Sequence, residues 1–224
     1  MLHIAVIKEF DMKLQRSLLL PMLAGAIALA ASLPASADIN GFLNGRSADP
    51  SVSPQRSVEV GVQDLGFARS LGVRFNFSMG SNVTGFANIA SIDYDFSDVD
   101  GFSFGGGAFI FLPNQRISSA VDIGMKPTLN YFTVEGRFFE RDIITAGFEF
   151  LVSGKEPIAS TPLNWFANAG LTVQVNDGTG NDDTDIDPIL GGGLYMSLGA
   201  GQLYFGAELS GGDFDPGVGY RFFL

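Results

Sequence analysis

The chain has 224 residues, of which 13 are Lys or Arg and 24 are Asp or Glu, so its formal net charge at neutral pH is −11. A chain this acidic has no basic patch to neutralise phosphates, which excludes nucleic acid as a partner. The chain contains no cysteine, which excludes disulfides, thiolate metal sites and lipidation on cysteine, and its single histidine is His3.

The first segment, residues 1–37, is predicted to be a secretory signal peptide. A positively charged head precedes an apolar run, Ser17–Leu33, and a pattern of small residues suited to cleavage ends at Ala37. A transmembrane anchor is the alternative, but the run is shorter than the roughly 20 residues that a spanning helix needs. Met12 stands directly before the charged head, and we interpret it as the true start.

The next segment, residues 38–56, is rich in Ser, Pro, Asn and Gly and is predicted to be an extended leader. Without the signal peptide the chain keeps 10 basic and 22 acidic residues, a net charge of −12, and no histidine. The remaining residues, 57–224, form one predicted domain.

In this domain apolar residues recur at every second position, which is the period of a β-strand. No apolar run is long enough for a spanning helix. Eleven amphipathic segments follow one another: Val58–Val62, Leu71–Met79, Val83–Phe96, Phe102–Leu112, Ile117–Met125, Phe132–Phe138, Ile144–Val152, Leu163–Val175, Leu190–Leu198, Leu203–Leu209 and Val218–Leu224.

The pattern predicts an all-β protein, a closed antiparallel transmembrane β-barrel of about ten strands, with eight as the alternative. Single-chain bacterial barrels have an even number of strands, so Ile117–Phe139 is interpreted as one strand. Its apolar positions change phase at Pro127, which predicts a β-bulge there. Tight turns are predicted at Ser81 and Gly199, and a long outer loop at Asn176–Asp187.

The strands of a soluble β-sandwich or a lipocalin-like barrel would also show alternating apolar and polar residues, with the apolar face directed inward. Two features favour a membrane barrel. The face opposite the apolar residues carries small and polar residues, as a lumen would. The chain also ends on an apolar strand face formed by Val218, Tyr220, Phe222 and Leu224.

That terminal strand resembles the carboxy-terminal assembly signal of outer-membrane barrels, although Leu224 replaces the usual final aromatic residue. The domain resembles the small porin-like barrels of the OmpA-barrel, OmpX and OmpW type. The resemblance implies the outer membrane of a Gram-negative-type bacterium, reached after signal-peptide cleavage. It implies outer-membrane lipid, lipopolysaccharide and the barrel assembly machinery as partners, a monomer, and no cofactor.

The alternation also predicts a set of charged side chains on the lumen face. Unpaired charges in a narrow lumen are costly, so these residues are expected to pair, either as a salt-bridged plug or as a gate or selectivity filter. Arg137 and Arg221 are expected to pair across the interior with nearby acids such as Glu135, Glu149 or Glu208. The predicted lumen charges are Glu59, Arg74, Asp122, Glu135, Arg137, Glu149, Glu208 and Arg221.

Three aspartates at alternate positions, Asp183, Asp185 and Asp187, form the one candidate metal site, because hard cations prefer clustered carboxylates. An EF-hand loop starting at Asp183 would need a glycine at Pro188 and a glutamate at Leu194, so that motif fails. We therefore predict no metal site and interpret these residues as part of a solvated acidic loop at the cell surface, with weak Ca²⁺ or Mg²⁺ binding as the alternative.

After the predicted signal peptide the chain has no histidine. Enzymes of this barrel type generally use histidine as the general base near neutral pH, so the protein is predicted not to be an enzyme. The sequence therefore predicts a barrel with a structural or surface-interaction role. A narrow porin-like channel for small solutes is the alternative.

Overall fold

The computed structural model describes residues 48, 56–66, 68–95, 99–113, 121–136, 139–154, 158, 161–177 and 183–224. The predicted signal peptide lies outside the described residues, and so does the leader apart from Ala48 and Arg56. In the described part of the chain, no helix has the length and hydropathy that a membrane-spanning helix requires.

Within these described residues, ten strands form a closed barrel in which each strand pairs antiparallel with its neighbours and the first also pairs with the last. The predicted closed antiparallel barrel of ten strands is confirmed, and the alternative of eight is wrong. The strands are β1 Ser57–Asp64, β2 Ala68–Gly80, β3 Val83–Tyr94, β4 Val99–Phe111, β5 Val121–Gly136, β6 Phe139–Gly154, β7 Leu163–Asp177, β8 Asp183–Leu198, β9 Gly201–Ser210 and β10 Asp213–Phe223.

The strand registers show that the strands are strongly tilted. A path through directly paired residues that starts at Glu59 and crosses β2 to β7 reaches Asp185 on β8. The path in the other direction, through β10 and β9, reaches Ser197 on the same strand. This stagger of twelve residues in a ten-stranded barrel corresponds to a tilt of roughly 35–45°.

The wall is inverted relative to that of a soluble protein. Large apolar side chains such as Phe75, Phe150 and Phe222 are about half exposed on the outside. The inward positions of the same strands carry buried polar residues, including Glu59 and Arg221. An apolar exterior around a polar interior is the arrangement expected when the surrounding solvent is lipid.

Strand β5 shows that the β-bulge predicted at Pro127 is wrong. Val121–Gly136 is one strand, as expected, but its register with both neighbours runs through Pro127 without a shift, so the predicted bulge is absent. Even-numbered residues therefore face the lumen along the whole strand. Phe132 and Val134 point inward, and Glu135 is exposed on the outer face instead of lying in the lumen.

The apolar phase changes in β5 because the lumen itself becomes apolar there. We call the barrel end at Ser57 and Leu224 the terminal end and the opposite end the distal end. The distal apolar cluster fills part of the distal lumen and consists of Leu65, Ala68, Ile92, Phe132, Val134 and Ile143.

The predicted long loop is also corrected. Strand β7 continues to Asp177 and β8 begins at Asp183, so most of Asn176–Asp187 is barrel wall and the connection is only 178–182. The predicted tight turns at Ser81 and Gly199 are confirmed. All five connections at the distal end are short, with at most five residues between strands.

Candidate functional site

The centre of the site is one carboxylate between two arginines. Glu59 on β1 is the direct cross-strand neighbour of Arg74 on β2 and of Arg221 on β10. Arg221 Nε donates to Glu59 Oε1 at 2.9 Å, and Arg74 Nη1 lies 3.8 Å from Glu59 Oε2. The side chains of Glu59 and Arg221 have 0% exposure, so protein groups and not bulk water must stabilise the charge of this carboxylate.

Neutral side chains make further hydrogen bonds around this ion pair. Asn76 Nδ2 donates to Glu59 Oε1 at 2.6 Å and to Ser57 Oγ at 3.0 Å. Arg221 Nη1 donates to Gln202 Oε1 at 2.6 Å. Ser57 and Asn76 each lie two positions from a charged residue of their own strand, so they share its lumen face. Gln202 faces the lumen because it pairs directly with Arg221.

Aromatic rings cover both guanidinium groups. The Arg221 guanidinium lies 5.6 Å from the centre of the Tyr204 ring, and that of Arg74 lies 4.9 Å from the centre of the Phe86 ring. Such cation–π contacts are strongest where water is excluded. Tyr204 fits because residue 219 opposite it is a glycine, where a Cβ would overlap the tyrosine hydroxyl.

A second ion pair lies on the other side of the lumen. Lys126 on β5 pairs with Glu149, its cross-strand neighbour on β6, and Asn168 Nδ2 donates to Glu149 Oε2 at 2.7 Å. Both ion pairs face the same lumen, and a weak long-range attraction acts between Arg74 and Glu149. We call Glu59, Arg74, Lys126, Glu149 and Arg221 the transverse charge network.

The structure brings four of the eight predicted lumen charges into this network: Glu59, Arg74, Glu149 and Arg221. Lys126 was missed because it precedes the proline at which the bulge was expected, although it shares a face with Asp122 four residues earlier. The partner found for Arg221 is Glu59, a pairing between the first and last strands that one sequence does not reveal.

The other predicted charges lie elsewhere. Asp122 is buried at the terminal end of β5, and Glu208 is buried near the distal end, directly opposite Asp215 on β10. Glu135 is the correction already given, because its odd position faces outward. Arg137 lies outside the described residues.

The candidate aspartates belong to a strand and not to a surface loop. Asp187 is 2% exposed and faces the lumen, whereas its neighbour Ile186 is 61% exposed on the outer face. Asp185 is partly buried on the same side as Asp187. Among the residues that the structure describes, no group of three or more acidic, histidine or cysteine side chains is placed to hold a metal ion.

A groove of about 700 Å³ lies on the outer face of β4–β6. Gly106 and Ala108 form its floor, and Phe104, Leu129 and Ile144 are among its walls. These residues belong to the apolar exterior, so hydrocarbon is the natural filling of the groove.

The comparisons with known proteins show a fold and no family. No protein-family model and no curated protein sequence matches the chain. LpxR from Salmonella typhimurium is a similar solved structure, with 9% identity and a TM-score of 0.40 over 75% of this chain and 100% of LpxR. The translocator domain of the autotransporter NalP from Neisseria meningitidis is similar with 14% identity and a TM-score of 0.40 over 75% of this chain and 87% of that domain.

These comparisons correct one prediction and leave another unconfirmed. LpxR is an enzyme, a lipid A deacylase, which contradicts the prediction that a barrel like this one is not an enzyme. At such low identity the likeness shows the fold alone and assigns no activity to this chain. The narrower resemblance to the OmpA, OmpX and OmpW types is not confirmed, and the described residues form a closed ten-stranded antiparallel barrel.

Proposed function

We propose that the protein is a sealed structural barrel of the outer membrane. The observation that supports this most is the ion pair between Glu59 and Arg221, whose side chains both have 0% exposure although they project into the lumen. An open pore would leave its lumen-facing charges in contact with water. Small barrels generally have an interior that side chains nearly fill.

Two layers support the sealed lumen. The transverse charge network places one ion-paired cluster on β1, β2 and β10 and a second on β5 and β6, on opposite sides of the lumen. The distal apolar cluster forms the second layer, with Phe132 at 1% exposure and Ile92 at 0%. An ion that crossed the barrel would have to pass the charge network and then the distal lumen, part of which this apolar cluster fills.

The outer surface fits a role within the bilayer. Its exposed apolar side chains would contact lipid, and the terminal strand would supply the assembly signal. The short distal connections give less surface for binding other envelope components than the predicted long loop would have done. A structural role is therefore favoured over a surface-interaction role.

A narrow channel for small solutes is the second candidate, and one observation favours it. Three buried hydroxyl groups that face the lumen, those of Thr84, Ser103 and Thr145, make no hydrogen bond to the part of the protein that the structure describes. Buried polar groups of this kind are commonly satisfied by water. A chain of water molecules along the wall would give small solutes a path.

Conductance in planar lipid bilayers separates the two candidates. The sealed barrel predicts no steady current from the refolded protein. The charge-balanced double variant Arg74→Ala and Glu149→Ala removes one charged side chain from each of the two ion-paired clusters and should conduct. The matched control, Arg69→Ala with Glu135→Ala, removes two exposed charges and should be as silent as the wild type. A steady ohmic current through the wild type would establish the channel and reject the sealed barrel.

A further inference from the structure

One residue of the leader lies inside the barrel. Ala48 is nine positions before β1, yet it is buried in the lumen with 4% exposure. Its backbone N–H donates to Ser153 Oγ at 2.9 Å. Its methyl group belongs to an apolar cluster with Phe86, Phe109 and Leu151.

We propose that the lumen face of β3–β6 near the terminal end is a docking site for the chain's own leader, residues 38–56. The site consists of Phe86, Phe109, Gly124, Leu151 and Ser153. It adjoins the transverse charge network through Phe86, which covers the Arg74 guanidinium, and the proposal does not depend on whether the barrel conducts.

The position of Ala48 relative to β1 supports this occupant. The chain enters the wall at Ser57 on β1, whereas Ser153 and Gly124 lie on β6 and β5, about half-way round the ten-stranded barrel. The nine steps between Ala48 and Ser57 span at most about 30 Å, which allows the leader to cross from one wall to the other. The leader is therefore long enough to reach this site from its own attachment point.

The wall is shaped to receive a backbone at this point. Gly124 has no side chain, and a Cβ built there would lie 3.5 Å from the Ala48 Cβ and 3.4 Å from its carbonyl oxygen. Ser153 supplies the acceptor for the incoming N–H. Phe86 and Phe109, with ring centres 4.8 Å apart, provide an apolar surface that a water-filled lumen would not favour.

Cysteine cross-linking tests the docking directly, because the natural chain has no cysteine. Cβ atoms joined by a disulfide are about 3.5–4.5 Å apart, so Ala48→Cys with Gly124→Cys has the required geometry. The full chain carrying this pair should form an intramolecular disulfide on mild oxidation. It would be seen as a reducible shift in gel mobility together with the loss of both free thiols.

Ala48→Cys with Ser153→Cys provides a second pair in case Gly124→Cys does not fold. The control is Ala48→Cys with Ser103→Cys, because Ser103 faces the lumen in its distal half and should stay uncross-linked. Free thiols in both test pairs, in protein that has refolded to the heat-modifiable form, would overturn the proposal. A disulfide in the control at the same yield would overturn it as well, since it would show that the leader has no fixed site.

A second measurement uses the wild-type cysteine-free background. Ala48→Asp would bury a carboxylate against Phe86 and Phe109, so the leader should leave the site and trypsin should cleave after Arg56 at least tenfold faster. Ala48→Ser keeps the size and should leave the cleavage rate within twofold of wild type. Equal cleavage rates for Ala48→Asp and wild type would contradict docking.

Discussion

The carboxylate of Glu59 shows how a buried charge is tolerated in this lumen. It receives hydrogen bonds from Arg221 and Asn76 and a second positive charge from Arg74, so its lost hydration is replaced on several sides. Removing one partner of such a group is costly because the remaining charge stays buried. Truncating either arginine should therefore lower the stability of the barrel, because the Glu59 charge would stay buried with fewer partners.

Replacing Arg221 by alanine tests this at the residue scale. We expect the free energy of unfolding to fall by about 3 kcal/mol, because Glu59 loses the arginine that is hydrogen-bonded to it. The matched control is Arg69→Ala, which removes an exposed arginine on β2 and should cost less than about 0.5 kcal/mol. Urea titration of both variants in detergent measures the difference. Equal midpoints for the two variants would mean that the Glu59 pair is not a stabilising contact.

Gly219 gives a second test at a single position. A side chain there would overlap the hydroxyl of Tyr204, which is 0% exposed and covers the Arg221 guanidinium. Gly219→Ala should destabilise by about 1–3 kcal/mol through overpacking. Gly80→Ala is the control, because a Cβ there meets nothing within 4 Å. If both substitutions have the same effect in thermal unfolding, the close packing of Tyr204 is not important for stability.

At the scale of elements, β5 and β8 show what alternation can and cannot predict. Apolar periodicity located most strands because one face of each contacts lipid. It failed at Phe132 and Val134, where the lumen is apolar, and it assigned Asp187 to a loop because an acidic run resembles a surface segment. Register across strands, which pairs Glu59 with Arg221, depends on contacts 162 positions apart and leaves no local signal.

The terminal strand allows its outer face and its opposite face to be tested separately. Phe222 is 49% exposed on the outer face and Leu224 is 80% exposed, whereas Phe223 occupies the opposite phase. Phe222→Ser with Leu224→Ser should block membrane assembly, because the lipid face of the strand that closes the barrel is lost. Phe223→Ser is the control of the same residue type and should assemble. Normal, protease-resistant barrel in the membrane from the double variant would contradict this.

The connection between β7 and β8 provides a second test of an element. Replacing residues 178–182 by Asn-Gly should preserve assembly, because this dipeptide favours a tight hairpin turn. Deleting 176–187 should abolish it, since Asp183–Asp187 pair with Thr172–Asn176 in the wall. Heat-modifiable gel migration reports both outcomes. Assembly of the larger deletion would show that this part of the wall is dispensable, as the loop interpretation predicted.

For the whole molecule, the fold class follows from chemistry that is visible in the sequence, whereas the filling of the lumen does not. Alternating apolar residues and a net acidic, cysteine-free chain are enough to predict an outer-membrane-type barrel. The transverse charge network and the docking of Ala48 depend on which strands face each other across the lumen. That arrangement is set by strand number and stagger together, and neither can be obtained from one strand alone.

The inside-out wall is the central claim, and the single tryptophan tests it most directly. Trp165 lies on the outward phase of β7, and the adjacent Phe166 is 3% exposed in the lumen. In bilayers with brominated acyl chains, fluorescence of the wild type should be strongly quenched. The variant Trp165→Phe with Phe166→Trp, which moves the ring by one residue, should be quenched much less. Equal or stronger quenching of the variant would contradict the assignment of lipid and lumen faces.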